Sequence, residues 1–179
     1  MNNKCLYCYQ PLGEGDKDFH SICSKRMFGT ADAPVLDYSL DQMNELAKKV
    51  VQSHVTVPGV QAKLSFHFEA QRAQENRLTL VGVWGNYILK PPTQQFDNLP
   101  ENEDLTMHLA KLFKMNVVPH SLIRLKSGEL AYTTKRIDRI REQKLAMEDL
   151  CQLSERLTED KYKGSMEQVD ILEHAAPLS

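Results

Sequence analysis

The stretch that decides the predicted fold is Tyr87-Ile88-Leu89-Lys90-Pro91-Pro92. Its apolar residues are typical of a short strand, and the two prolines end that strand because proline cannot donate to a sheet ladder. Gly85-Asn86 just before it is a dipeptide typical of hairpin turns. After it, residues 102–114 form a helical pattern whose apolar stripe is Leu105, Leu109 and Leu112. A lysine-tipped strand followed by one helix is therefore the centre of the predicted fold.

Strand patterns flank this centre on both sides. Residues 62–69 alternate apolar and polar, and a second apolar run follows at 78–84. On the other side, 117–125 and 129–137 are typical of a hairpin around the turn Lys126-Ser127-Gly128. The sequence thus predicts an α+β fold, with a five-stranded antiparallel sheet and one packed helix. One helix after the third strand is also the order of a protein-kinase small lobe.

Two further helices are expected. Ser39 and Gln42 have the spacing of a capping box, and residues 40–53 continue as an amphipathic helix. Residues 147–157 form another helical pattern, with Met147 among the residues on its apolar side.

Composition and charge exclude several classes of protein. The formal net charge is −2, so there is no basic excess to favour nucleic acid as a partner. No apolar stretch approaches the roughly 20 residues of a membrane span, and the first residues lack the apolar core of a signal peptide. We therefore expect a cytoplasmic protein whose cysteines are reduced thiols.

Four metal-ligating residues lie close together in the first part of the chain. Cys5 and Cys8 form a CxxC pair, and His20 and Cys23 form an HxxC pair. Two such pairs can complete the tetrahedral site of a structural zinc ion, which would give this short segment a reason to fold. The alternative is a set of free thiols beside a surface histidine. We call these four residues the Cys/His cluster.

Val57-Pro58-Gly59-Val60-Gln61-Ala62-Lys63 precedes the first strand. By ordinary patterns it is a turn and not a phosphate loop. Its last five residues nevertheless resemble the GxQxK signature of the HipA family of bacterial toxin-type serine/threonine kinases. Four further segments resemble motifs of that family in the same order: 87–91, 102–103, 135–139 and 147–152.

The resemblance implies an ATP-binding role, with Mg²⁺, for several of these residues. Lys90 takes the place of the third-strand lysine that contacts the phosphates, and Glu103 that of the helix glutamate that pairs with it. The implied ATP-binding residues are Val57, Gly59, Val60, Gln61, Lys63, Lys90, Glu103 and Glu148. Without the resemblance, Lys90 is equally typical of a solvated strand end, Lys63 of the polar face of a strand and Glu103 of a helix-dipole carboxylate.

The resemblance also implies a modification site and an incomplete active site. Thr56 holds a place comparable to that of a family serine whose autophosphorylation ejects the glycine loop. A HipA-like kinase needs a catalytic Asp with a nearby Asn, followed by a metal-binding Asp. After Lys163 the candidate is Asp170, which lacks the nearby Asn. No catalytic residue is assigned, and we expect no phosphoryl transfer by this chain alone.

Four segments are expected along the chain. They are a Cys/His-rich zinc-binding-like unit (1–30), a linker and amphipathic helix (31–56), a HipA-like kinase N-lobe (57–163) and a tail that frays or is not native to the family (164–179). The chain is then a truncated kinase or half of a split one, with a large-lobe protein or an antitoxin-type regulator as partner. The alternative is a non-catalytic interaction module that partners a separate kinase or a toxin–antitoxin component. Titration with ATP would distinguish the two.

Overall fold

The computed structural model describes residues 4–52, 63–69, 76–80, 85–140, 143–147 and 149–153. It divides into two compact units, Met1–Ile137 and Asp138–Ser179. The elements of the first unit are α1 (Ser21–Phe28), α2 (Leu40–Gln52), β1 (Leu64–Glu69), β2 (Arg77–Leu80), β3 (Tyr87–Lys90), α3 (Leu99–Leu112), β4 (His120–Arg124) and β5 (Leu130–Lys135). Within the described ranges, no helix is long and apolar enough to cross a membrane.

The five strands of the first unit form one antiparallel sheet in the order β2-β1-β3-β5-β4. The predicted fold class is therefore confirmed, including the helix after the third strand and the preceding Cys-rich segment. Strand β3 lies in the middle, where Leu89 pairs with Leu64 of β1 and Lys90 pairs with Tyr132 of β5. The lysine-tipped strand is thus central in space as well as in sequence.

The hairpin predicted at Gly85-Asn86 is wrong, because β1 lies between β2 and β3. Gly85 instead passes close to β1. A Cβ atom at this position would lie 2.4 Å from the carbonyl oxygen of Phe66, and the Gly85 N–H donates to Ser65 Oγ at 3.0 Å. The glycine is required by this close approach and not by a two-residue turn. Of the apolar run predicted at 78–84, residues 81–84 lie outside the described part.

The core of this unit joins the sheet to the N-terminal helices. Phe66 and Leu89 of the sheet are fully buried, as are Met27 of α1 and Met43 of α2. The Tyr87 hydroxyl donates to the Met27 carbonyl oxygen at 3.1 Å. The Cys-rich segment therefore shares a core with the sheet. Its helix α1 was not predicted, because this segment has little helical periodicity.

Helix α2 begins with the predicted capping box. The Ser39 N–H donates to Gln42 Oε1 at 2.8 Å, and the Gln42 N–H donates to Ser39 Oγ at 3.4 Å. Before this helix, the predicted linker is docked against the sheet. Its Val35 N–H donates to the Asn76 carbonyl oxygen at 2.7 Å, and Leu36 is buried.

Helix α3 begins three residues earlier than predicted, with Pro100 in its first turn. Its leucine stripe does not pack on the sheet: Leu105 is 49% exposed, Leu109 46% and Leu112 77%. The buried residues of this helix are Pro100 and Asp104. Its Asp104 side chain instead contacts His120 of β4, a polar contact that apolar periodicity cannot detect.

The second unit contains β6 (Arg139–Ile140), β7 (Gln143–Lys144) and α4 (Leu150–Leu153). Strands β6 and β7 pair in an antiparallel hairpin. Helix α4 begins later than predicted: Met147 precedes it and is exposed. Asp149 and Gln152 form its capping box, with the Gln152 N–H donating to Asp149 Oδ1 at 3.0 Å. Residues 154–157 of the predicted helix lie outside the described part.

Candidate functional site

Lys90 and Glu103 form an ion pair at the end of β3. The Lys90 Nζ donates to Glu103 Oε1, and the two side chains are only 19% and 26% exposed. Partial burial strengthens an ion pair relative to one in open solvent, because the local dielectric is lower. The structure therefore brings together two residues that the sequence singled out, from a strand and from the helix that follows it.

Tyr132 forms a platform beneath this lysine. The Lys90 Nζ lies 5.4 Å from the centroid of the Tyr132 ring, a geometry typical of a cation–π contact. Tyr132 is itself buried, and burial, together with the charges of Glu103 and Asp104, raises its pKa. The phenol therefore stays neutral, and the ammonium group is held between an aromatic face and a carboxylate.

Lys63 lies at the same end of the sheet as Lys90. It immediately precedes β1, whose Leu64 pairs with Leu89. Continuing this antiparallel register by one residue places Lys63 opposite Lys90. Directly opposed residues in an antiparallel pair point to the same face. Two lysines with one glutamate nearby make this end of β1 and β3 suitable for binding an anion.

The other predicted ATP-binding residues, Val57, Gly59, Val60, Gln61 and Glu148, lie outside the described residues. The same is true of Thr56, the predicted autophosphorylation site. Their roles remain predictions from the resemblance.

The Cys/His cluster has the geometry of a metal site. Its four ligand atoms lie within 4.8 Å of one another. The His20 Nδ1 is 3.4 Å from Cys8 Sγ and 3.7 Å from Cys23 Sγ. Zn–S bonds of about 2.3 Å and Zn–N bonds of about 2.0 Å at tetrahedral angles would separate sulfur from nitrogen by about 3.5 Å. The observed separations bracket this value, so the cluster could hold a metal ion.

The hydrogen bond of His20 leaves the correct nitrogen for a metal. The His20 Nε2 lies 2.9 Å from the Pro11 carbonyl oxygen, which can only accept a hydrogen bond. The proton is therefore on Nε2, and the lone pair of Nδ1 faces the cysteine sulfurs. Such a partner on the second ring nitrogen is the usual way in which a metal-binding histidine is oriented.

Metal binding at the cluster would be linked to the protonation of its thiols. Burial tends to raise the pKa of Cys5, but hydrogen bonds from backbone N–H groups, that of His20 foremost, outweigh it and lower that pKa. Burial and the sulfurs of Cys8 and Cys5 raise the pKa of Cys23 to about 12. The Cys23 thiol therefore keeps its proton near neutral pH unless a bound cation displaces it.

A second polar cluster, which the sequence analysis missed, is centred on Asp104. This carboxylate is fully buried. Its Oδ1 accepts from His120 Nδ1 at 2.7 Å, and its Oδ2 accepts from the Tyr9 hydroxyl and lies 3.4 Å from His108 Nε2. Burial, helped by the hydrogen bond to Asp104, raises the pKa of Tyr9. Three side chains, one each from the Cys-rich segment, α3 and β4, therefore converge on one carboxylate.

One sequence signal could have revealed this cluster. Asp104 and His108 are four residues apart and so lie on one face of the predicted helix. The leucine stripe at positions 105, 109 and 112 drew attention to the neighbouring face instead. No sequence pattern indicates that Tyr9 and His120 contact Asp104, because both contacts join separate segments of the chain.

Comparisons with known proteins agree with the resemblance. The chain is 31% identical over 122 residues to the Sinorhizobium fredii protein named "Putative kinase Y4dM", covering 62% of this chain and 30% of that protein. It is 27% identical over 158 residues to a Haemophilus influenzae protein named "Putative kinase", covering 79% of this chain and 42% of the relative. The chain therefore spans less than half the length of both of these relatives.

A solved structure is also similar. It is a chain of the Shewanella oneidensis toxin–antitoxin complex of HipA, HipB and operator DNA, with a TM-score of 0.40 and 23% identity, covering 69% of this chain and 34% of that one. In addition, the family model described as "HipA-like C-terminal domain" matches residues 55–177. Because this match covers more than half of the sequence, the chain belongs to the HipA-like C-terminal domain family.

Proposed function

We propose that this chain is the ATP-binding N-terminal portion of a HipA-like serine/threonine kinase of the toxin type. The observation that carries the proposal is the Lys90–Glu103 ion pair, which joins the end of the middle strand to the following helix. In protein kinases, a lysine and a glutamate in these two elements must pair for the phosphates to be held. The kinase names of two relatives support the same reading.

The charges at this end of β1 and β3 support a triphosphate as the ligand. Lys90 and the opposing Lys63 supply two positive charges, and Glu103 keeps the Lys90 ammonium in one place. The half-buried position of Lys90 strengthens its interaction with an anion relative to a fully solvated lysine. Magnesium would neutralise further phosphate charge, as it does in kinases generally.

We also propose that these 179 residues alone do not transfer phosphate. The sequence after Lys163 carries no Asp with a nearby Asn, so no group is assigned to orient a substrate hydroxyl or to hold magnesium. Activity would then require a large lobe in addition to these residues, and an antitoxin-type protein is a further candidate partner. Phosphate transfer from labelled ATP by the purified chain, abolished in Lys90→Ala, would contradict this part of the proposal.

Titration with Mg·ATP tests the binding. We expect Lys90→Ala to weaken ATP binding by about 10- to 100-fold, the loss of a hydrogen bond to a charged group. Lys126→Ala is the matched control, since it also removes one positive charge but from an exposed pair with Asp37 on another part of the surface. Equal ATP affinities for the two variants would contradict the proposed role of Lys90.

We propose zinc as the metal of the Cys/His cluster. Three cysteine sulfurs and one histidine nitrogen form a donor set that zinc prefers, in a closed tetrahedral site. Four protein ligands leave no open position, so the role would be structural. None of the four cysteines, all of which lie in the described part of the chain, forms a disulfide, which suits a reducing, cytoplasmic location.

One observation favours a second function, that of a protein-interaction module. The leucine stripe of α3 continues into Phe113 and Met115, both exposed. Large exposed apolar patches often mark protein interfaces. If this is the main role, the chain would bind no ATP at millimolar concentration, whereas Lys90-dependent binding supports the first proposal.

A further inference from the structure

Tyr9 links the Cys/His cluster to helix α3. It follows Cys8 directly, and its N–H donates to the Cys5 carbonyl oxygen at 2.9 Å, so its backbone belongs to the turn that holds two of the metal ligands. Its hydroxyl donates to Asp104, and its ring centroid lies 4.8 Å from that of His108. One side chain of the metal-binding turn thus contacts two residues that are one helical turn apart on α3.

Asp104 is the immediate neighbour of Glu103, the residue that pairs with Lys90. The two carboxylates hold α3 against different parts of the sheet. Glu103 reaches β3, whereas Asp104 reaches His120 of β4 and, through Tyr9, the metal-binding turn. A shift of α3 that lengthens one of these contacts therefore disturbs the other as well.

The Asp104 cluster is better described as a hydrogen-bond network than as a second metal site. His120 Nδ1 and Asp104 Oδ1 are 2.7 Å apart, the length of a charge-assisted hydrogen bond. Two ligands about 2.0 Å from one tetrahedral zinc ion would be separated by about 3.3 Å. These contacts join α3 to β4 and to the metal-binding turn.

We infer that the metal-binding turn positions α3 through the Tyr9–Asp104 hydrogen bond, so that metal binding at the Cys/His cluster keeps Glu103 in place for Lys90. Tyr9 has a φ of 60°, a left-handed conformation that costs free energy in a residue other than glycine. Binding two cysteines of the turn to one ion restricts that turn and so maintains this conformation.

The effect of metal loss should be local. Helix α1, which follows His20, stays attached to the core because Met27 and Phe28 are buried there. The turn before Tyr9 carries two of the four ligands, Cys5 and Cys8, and is the segment that metal loss is expected to loosen. Loss of metal is therefore expected to release Tyr9 from α3 without unfolding the sheet.

Hydrogen exchange of the full chain tests this coupling, with metal content measured on each sample. In the metal-loaded state we expect Tyr9→Phe to raise the exchange rates of α3 amides by about 10- to 100-fold, from the lost bond to a buried carboxylate. Tyr7→Phe, in the same turn, is the matched control and should leave these rates unchanged. Treating the wild-type chain with a chelator should reproduce the Tyr9→Phe effect in α3.

The chelator should add nothing in α3 when it is applied to Tyr9→Phe, because the link is already broken. The inference is overturned if Tyr9→Phe leaves α3 protected, if chelation loosens the turn but not α3, or if chelation raises exchange throughout the sheet equally. The first two results would show that α3 is not held by the metal-binding turn, and the third would show that the metal stabilises the whole unit and not this link in particular.

The consequence for ATP rests on the proposed function and has a separate measurement. If Tyr9→Phe leaves the Lys90–Glu103 pair formed only about a fifth of the time, apparent ATP affinity falls about fivefold. In a Lys90→Ala background, Tyr9→Phe should have no further effect, which a general loss of stability would not reproduce. If the wild-type chain binds no ATP, the proposed function fails while the exchange result still decides the inference.

Discussion

Replacing Asp104 by asparagine tests whether the buried network stabilises the fold. Asparagine has nearly the same shape, but it is neutral and offers one oxygen where Asp104 offers two. The wild-type carboxylate accepts from His120 at 2.7 Å and from Tyr9 on its other oxygen. In Asp104→Asn, one of these donors faces an amide N–H₂ group and loses its acceptor.

The size of the effect follows from two opposing terms. Each hydrogen bond to a charged group contributes about 1.5–3 kcal/mol, and a donor left buried without a partner adds to the loss. Against this, removing a fully buried charge relieves its desolvation cost. Because Asp104 has at least two close donors, we expect the hydrogen bonds to dominate and the free energy of unfolding to fall by about 2–3 kcal/mol.

Urea denaturation followed by circular dichroism measures this change. Asp97→Asn is the matched control, since Asp97 is exposed just before α3 and should change stability by less than about 0.5 kcal/mol. A shift of the midpoint without a change in the urea dependence would report stability itself. An Asp104→Asn variant as stable as Asp97→Asn, or more stable than the wild type, would refute the view that this network holds α3.

Three further predictions concern the metal, the sheet and pH. Protein purified without chelator should contain about one equivalent of zinc. Cys8→Ser should reduce the zinc content below about half an equivalent, whereas the control Cys151→Ser should not. A wild-type chain with little zinc would count against the site. Gly85→Ala should lower the free energy of unfolding by about 3 kcal/mol or more, because the new Cβ would meet the Phe66 backbone. Gly13→Ala is the control and should be tolerated, since the nearest atom to its Cβ would be 3.5 Å away. Equal urea midpoints for the two variants would contradict the close approach at Gly85. Burial lowers the pKa of His108 below its ordinary value of 6.5, despite the opposing charge of Asp104. His108 therefore binds a proton more readily in the unfolded chain than in the folded chain. Stability should therefore fall as the pH drops through about 6.5, and His108→Gln should reduce this fall, as urea midpoints at pH 7.5 and 5.5 will show.

Local patterns were enough to predict the sheet and its central helix. The strands were marked by features of short segments: the prolines after Lys90, the alternation in β1 and the turn at Gly128. The structure contains the strands that these features predict. The Ser39 capping box was found for the same reason. The ion pair of Lys90 and Glu103 was predicted from the family resemblance, since lysines and glutamates in such positions are common for other reasons.

Contacts between distant segments could not be predicted in the same way. The Tyr9 hydroxyl meets Asp104 across 95 positions of the chain, and no local pattern indicates such a pair. Gly85 has the appearance of a turn residue, but its role depends on which strand lies beside it. The exposed leucines of α3 show the same limit, because periodicity reveals an apolar face and not what that face contacts.

The central claim is that the end of β3 holds the phosphates of a nucleotide. The measurement that tests it most directly is an NMR titration of the chain with Mg·ATP and, separately, with adenosine, for the wild type and for Lys90→Ala. The account predicts that the wild type binds Mg·ATP more tightly than adenosine, by about 10-fold or more, and that Lys90→Ala removes this preference. Equal affinities for Mg·ATP and adenosine in the wild type, or a preference for ATP that survives in Lys90→Ala, would contradict it.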